Sequence, residues 1–254
     1  MTDAPPPHAN GDTVLLHGFG TSGHLWRAVC ESLSGAHAPD LMGFGTQASA
    51  GRADQGTADM GAALLPLLRS LHAARGPVTL AGHSMGGKVA LWMAATHPDL
   101  VRRLVLIAPS PPTPEPMSDE DRAALRAAHG DRAALRAAHG DRAALTRQYR
   151  TITRQPLSET DFRQLVRDGL RASPAAWTAW TDHGSREDIT ARLVGLRAPV
   201  TVLYSAEDPA IAADTLRAGV LPLLPGAQAR EVRGSGHLLP LEQPAEVAAA
   251  LLDV

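Results

Sequence analysis

Short runs of Val, Leu and Ile, separated by helical stretches, constrain this chain more than anything else in it. Residues 13–16, 78–81, 103–108 and 200–204 are apolar almost throughout, as in Leu104-Val105-Leu106-Ile107. A strand with one wet face alternates polar and apolar residues, whereas a strand covered on both faces does not. Weaker strands are expected at 37–42 and 229–232. Between them lie helical patterns: Leu25, Trp26, Val29 and Leu33 at three- and four-residue spacing, then 59–74, 86–96 and 244–252. Pro66 is expected to kink the second of these or to lie near its start. Strand–helix alternation of this kind predicts an α/β fold with a doubly wound, mostly parallel sheet.

The alternation is interrupted once. Residues 109–116 hold five prolines in eight positions, too many for a helix or an inner strand. From 118 to about 187 the chain is helical in character. The reading is therefore a core made of 1–109 and 191–254, with an inserted helical cap at 110–190 over the sheet's C-terminal edge, where open α/β sheets bind ligands. The cap carries a ten-residue tandem repeat at 121–145: DRAALRAAHG twice, then DRAAL. Ten residues turn a helix through 1000°, so Leu125, Leu135 and Leu145 sit about 80° apart and form no straight stripe. Either the helix breaks at each His-Gly, with Gly130 and Gly140 as C-caps, or the leucines spiral. A duplication tolerated on the surface explains the repeat. His129 and His139 have no further ligand in it to complete a metal site.

Chemistry concentrates at Gly82-His83-Ser84-Met85-Gly86. A G-x-S-x-G between a strand and a helix holds its serine at a sharp, strained turn with the hydroxyl exposed. Five residues alone are a weak signal; the strand before and the helix after supply the context. A serine hydroxyl needs a base, and the base an orienting carboxylate. His237, in Gly234-Ser235-Gly236-His237-Leu238, follows the last strand. Asp208 follows the strand at 200–204, with Glu207 beside it as the alternative acid. The order Ser84, Asp208, His237 is that of elbow-type hydrolases. The oxyanion donors expected are the backbone N–H groups of Met85 and Phe19. Trp177 and Trp180 share a helix face and either roof the pocket or anchor the cap. His24 is placed at the pocket mouth or on the surface. His17 is read as structural, and the ring of His83 as pointing away into the packing of the sheet.

Charge and composition exclude other classes. The net charge is −2, and the arginines are scattered among acids, with Lys88 the sole lysine. No nucleic-acid or membrane-surface partner is expected. Cys30 is the single cysteine, which leaves no intrachain disulfide and reads as a small buried apolar residue. No apolar leader precedes Asp12 and no window reaches a membrane span, so a cytoplasmic location is the default. Nothing in the sequence fixes the oligomeric state.

Six ordered segments resemble the α/β-hydrolase superfamily: LLHGFG (15–20), DLMGFG (40–45), GHSMGG (82–87), THPDLVRRLVLIAPSPP (96–112), VLYSAEDP (202–209) and GSGHLLPLEQP (234–244). The resemblance spans almost the whole chain and is thinnest in the cap. It implies the doubly wound sheet, the triad Ser84, Asp208 and His237, and no cofactor or metal. Two departures stand out. Only twelve residues precede the first strand, where the family has a β-hairpin, so the N-terminal edge strands must be short or missing. Ser205 replaces a usual glycine beside Asp208. The expected function is a serine esterase acting on a small-molecule acyl substrate, of small to medium size and apolar. Lactonase, C–C hydrolase, thioesterase and perhydrolase chemistry share the triad. The readings from other classes are a ligand-binding protein that has lost catalysis and an interaction module built on the cap repeat.

Overall fold

A computed structural model describes residues 11–129 and 140–253. Its centre is one six-stranded sheet: β1 (Thr13–Leu16), β2 (Ala36–His37), β3 (Val78–His83), β4 (Val101–Ile107), β5 (Val200–Tyr204) and β6 (Gln228–Glu231). The order is β2-β1-β3-β4-β5-β6, and every neighbouring pair is parallel. β1 and β3 are wholly buried, in keeping with their mainly apolar sequences. β6 closes one edge and its four residues are exposed.

The core helices are α1 (Arg27–Cys30), α2 (Thr57–Arg75) and α3 (Met85–Thr96). Between β4 and β5 come α4 (Asp119–His129), α5 (Gly140–Ile152), α6 (Glu159–Arg171) and α7 (Pro174–Asp182), called the cap below. After β5 follow α8 (Ala213–Gly219), α9 (Leu239–Glu242) and α10 (Pro244–Leu252). α2 packs on α3 in one layer, and α1 on α10 in the other. Most of α3 is buried, including its alanines and Met85, because it runs behind the central strands. Pro66 lies inside α2, which continues through it.

Two expectations about local structure differ from what is observed. The strand expected at 37–42 ends at His37. Asp40 turns the chain instead, its carboxylate accepting from the backbone N–H of Gly23 (2.7 Å) and of Thr46 (2.7 Å). The helix expected through Leu33 is a 3-10 turn at Gly23–Trp26 followed by the single turn of α1. In the repeat, α4 ends at His129 and Gly140 opens α5. Gly130, Leu135 and His139 lie outside the described residues, and so does the side chain of His129.

The cap is stitched to the loops after β1 and β2. Tyr149 on α5 is fully buried, and its hydroxyl donates to the Gly20 carbonyl at 2.7 Å. Burial first, and the nearby Asp168 carboxylate second, push that phenol far above its ordinary pKa, so it remains a donor. Ser22 Oγ donates to Asp168 Oδ2 on α6 (2.7 Å), and the Ser173 N–H donates to the Gly43 carbonyl (2.8 Å). Among the described residues no helix is long and apolar enough to cross a membrane. Tyr149→Phe strands a buried carbonyl without changing shape. It should lower the unfolding free energy by about 1–2 kcal/mol in urea denaturation; an unchanged midpoint would mean that this bond does not hold the cap.

Candidate active site

The chain runs from β1 outward to β2, then crosses to β3 on the other side of β1. This reversal leaves a crevice between the C-terminal ends of β1 and β3, the usual binding position in open α/β sheets. The loop that starts at His17 leaves one side of it, and Ser84 stands on the other.

Ser84 is the residue between β3 and α3, with φ 51° and ψ −122°. That left-handed conformation is costly for a residue with a Cβ and is held by its surroundings. The Ser84 N–H donates to Ile107 O (3.0 Å), and its carbonyl accepts from the N–H groups of Gly87 (2.8 Å) and Ser110 (3.0 Å). The flanking glycines have a steric cause. A Cβ on Gly82 would lie 2.2 Å from the Gly86 carbonyl oxygen, and one on Gly86 would lie 2.4 Å from that of His17. A Cβ on Gly18 would meet the Ser84 Cβ at 3.2 Å. The β1 loop thus presses directly on the elbow and sets Phe19 beside it. Met85 is the first residue of α3, where a helix offers N–H groups that have no intrahelical acceptor.

His237 and Asp208 meet from the loops after β6 and β5. His237 Nδ1 lies 2.8 Å from Asp208 Oδ2, and both side chains are buried. Asp208 Oδ1 accepts from the N–H groups of Ala210 (2.7 Å) and Ile211 (3.0 Å). Burial would raise the Asp208 pKa, but the His237 charge and ring N–H, with these two amides, outweigh it and hold the carboxyl below its usual range. Burial would lower the His237 pKa, but the Asp208 charge and hydrogen bond outweigh it, helped by Glu115 and Glu242, and raise it above 6.5. Glu207 points elsewhere, accepting the Gly234 N–H at 3.1 Å. Ser205, where the resembling family has glycine, donates to the Ser235 carbonyl and so ties the Asp208 loop to the His237 loop.

Ser84 and His237 open into one cavity of about 650 Å³, also lined by Phe19, Glu115, Trp180 and Ile211. The two tryptophans divide their tasks. Trp180 walls the cavity; Trp177 packs on Phe19, with ring centroids 4.2 Å apart, and donates its Nε1–H to Leu125 O (2.9 Å). His24 does not reach this cavity. It is exposed beside Ser22 and lines a separate small pocket with Asp168, because Ser22 caps the 3-10 turn and holds His24 outward. His83 is buried, yet its ring does not point away from the site. It lies 4.7 Å from the His237 ring, with Nε2 2.8 Å from the His237 carbonyl oxygen. Burial and the His237 charge lower its pKa to about 3, so it is neutral and donates that bond. His17 is buried and kept neutral chiefly by burial; its Nε2 accepts the Leu41 N–H at 3.0 Å, a bond that holds the loop.

Glu242 is the residue that sequence reasoning missed. Its Oε2 accepts the N–H groups of Gly236 (2.8 Å), Arg154 (2.7 Å) and Gln155 (2.9 Å), and its Oε1 accepts that of Leu238 (3.0 Å). One buried carboxylate on α9 therefore grips both neighbours of His237 and the link between α5 and α6. The only sequence signal is an acid five residues after a histidine in an otherwise apolar stretch. Among the described residues no group of three or more His, Cys, Asp or Glu could hold a metal ion.

A parallel sheet reversing at a strained serine, with a buried His–Asp pair delivered beside it, defines an α/β hydrolase. A model of the alpha/beta hydrolase family matches residues 13–250, and the chain belongs to that family. It is 38% identical over 104 residues to the pimeloyl acyl-carrier-protein methyl ester esterase of Chromobacterium violaceum. That match covers 39% of this chain and 37% of the relative, little more than a third of its length. A thermophilic esterase from Thermogutta terrifontis superposes with a TM-score of 0.71 at 26% identity, over 95% of this chain and 89% of that one. An esterase from Exiguobacterium antarcticum gives 0.81 at 18% identity, over 96% and 91%.

Removing the Glu242 carboxylate leaves four backbone N–H groups without it. Glu242→Ala should cost about 2–4 kcal/mol of stability in urea unfolding, and Glu242→Gln less. Wild-type stability of the alanine variant would show that water replaces the carboxylate.

Proposed function

We propose that the protein is a serine esterase in which Ser84 is the nucleophile, His237 the general base and acid, and Asp208 the group that orients and charges the imidazole. The observation that carries this reading is that His237, paired with the buried Asp208, opens into the same cavity as the strained Ser84. Ser84 Oγ attacks the ester carbonyl carbon as its proton passes to His237 Nε2. The oxyanion takes hydrogen bonds from the N–H groups of Met85 and Phe19, each worth ~3–4 kcal/mol in the transition state. As the tetrahedral intermediate collapses, the C–O bond breaks and His237 returns the proton to the leaving alcohol. Water, deprotonated by His237, then attacks the acyl-enzyme and releases acid and free Ser84.

The substrate class follows from the cavity. A volume of about 650 Å³ walled by Phe19, Trp180 and Ile211 suits a small to medium apolar acyl group. The cap over residues 110–190 is the part that selects it. The half-buried lone cysteine, Cys30, fits a cytoplasmic enzyme. Lactones, thioesters and carrier-borne methyl esters present the same carbonyl to the same triad, and a panel of these with graded acyl length ranks them.

A fluorophosphonate should label the protein once, at Ser84, and Ser84→Ala should abolish the label. Labelling of the variant would end the proposal. The base must be neutral to act, so kcat/KM for p-nitrophenyl acetate should be full above the His237 pKa and fall as pH drops through it. Because that pKa is raised, the midpoint should lie above 6.5. Asp208→Asn should cut kcat by roughly 10³–10⁴ and move the midpoint down, since the charge that raises it is gone. A midpoint unmoved by this change would assign the acid elsewhere.

A further inference from the structure

Lys88 lies one turn after Ser84 on α3, is fully buried, and plays no part in the chemistry above. Its Nζ donates to two backbone carbonyls, Thr113 O (3.2 Å) and Glu187 O (2.5 Å). These carbonyls belong to the two stems of the cap, the segment that leaves β4 and the segment that returns toward β5. The stems run side by side: the Glu115 N–H donates to Ser185 O (2.8 Å), and the Ile189 N–H to Pro112 O (2.8 Å). Arg122 on α4, also buried, bonds Glu115 O (3.1 Å) and Thr181 O (3.1 Å) across the same junction. Glu187 Oε2 in turn takes the Thr57 N–H at the start of α2 (2.9 Å). The outgoing stem also forms the cavity, because Glu115 lines it together with Ser84 and His237.

We propose that Lys88 is a positioning residue whose ammonium clamps both stems of the cap to the nucleophile helix and thereby sets the cavity wall over Ser84. No carboxylate forms an ion pair with Lys88 within contact distance among the described residues. The ammonium is held by carbonyl dipoles, which are stronger partners for a charged donor than for a neutral amine. The charged groups around it are Glu115 and Glu187 on the stems, Asp188 beside Glu187, and Arg122 on α4. Burial lowers its pKa to about 8, against the pull of the three acids and with the help of Arg122. The clamp is therefore intact at neutral pH and weakens as pH rises through about 8. The stems then loosen, and the Glu115 wall with them. Long acyl groups, which reach that wall, lose affinity more than an acetyl group does.

The inference rests on the serine-esterase reading only for its kinetic readout. Because Lys88 is the only lysine, 13Cε-lysine labelling of the full chain gives one side-chain signal, and its titration needs no turnover. The expected midpoint is about 8. Over the same pH interval, exchange at the Glu115 and Ile189 amides, corrected for its intrinsic pH dependence, should accelerate about fivefold. The KM for p-nitrophenyl octanoate should rise by about the same factor relative to p-nitrophenyl acetate. Lys88→Met should show the raised octanoate-to-acetate KM ratio already at pH 7, with no further rise to pH 9. Amide exchange at Glu115 and Ile189 that ignores the lysine midpoint, wherever that midpoint falls, overturns the proposal, as does a folded Lys88→Met with the wild-type KM ratio and pH profile. If Lys88→Met does not fold, the wild-type titration and exchange decide the matter. An inactive protein in which both still change near pH 8 keeps the clamp and discards the esterase.

Discussion

The left-handed turn at Ser84 is the constraint on which the rest of the structure depends. A non-glycine residue at φ 51° costs roughly 1–3 kcal/mol, and the turn persists only because its neighbours leave no alternative. β4 takes its N–H, the start of the cap stem takes its carbonyl through Ser110, and the β1 loop closes over Gly86. The β1 and β3 ends must therefore be adjacent, and the order β2-β1-β3 makes them so while also opening the crevice. The strain and the site have one origin. A relaxed serine there would continue β3 or begin α3 and present its hydroxyl to the packing rather than to the cavity.

Around that turn the environments of three histidines diverge. His17 and His83 are buried without a carboxylate partner and stay neutral, each spending its ring on a backbone group that fixes a loop. His237 is equally buried but faces Asp208, Glu115 and Glu242, and their combined charge more than offsets desolvation. Residue type does not separate these roles; the nearest carboxylate does. His83 beneath His237 also explains a feature of the elbow. A neutral ring that donates to the His237 carbonyl supports the His237 loop without adding a second positive charge beside it.

The sheet, the elbow and the chain order of Ser84, Asp208 and His237 were legible because each leaves a local signature: apolar runs, a five-residue motif, and loops after strands. What was not legible depends on partners distant in sequence. Glu242 acts on backbone N–H groups at 154, 155, 236 and 238, which carry no residue code. The outward turn of His24 follows from Ser22 and its bond to Asp168, 146 positions away. The missing part of the second strand follows from Asp40, whose carboxylate takes the Gly23 and Thr46 N–H groups and turns the chain. In each case a bond made by a side chain overrode local pattern.

The tandem repeat shows the same limit within a single motif. Two copies of Asp-Arg-Ala-Ala-Leu fall on α4 and α5, yet Arg122 is buried against three carbonyl or hydroxyl groups while Arg142 is exposed. Leu145 is fully buried, and Leu125, its counterpart, only partly so. Identical sequence has been given different tasks by position: the first copy locks onto the cap stems, and the third drives a leucine and then Tyr149 toward the β1 loop. Both anchors bond to main-chain atoms of the stems and of Gly20, not to other side chains of the repeat. A cap fastened through backbone groups at its margins can gain a ten-residue copy between them without losing an anchor. That places tolerance to insertion in the cap's interior and intolerance at its stems, where Lys88 and Arg122 meet the wall of the cavity.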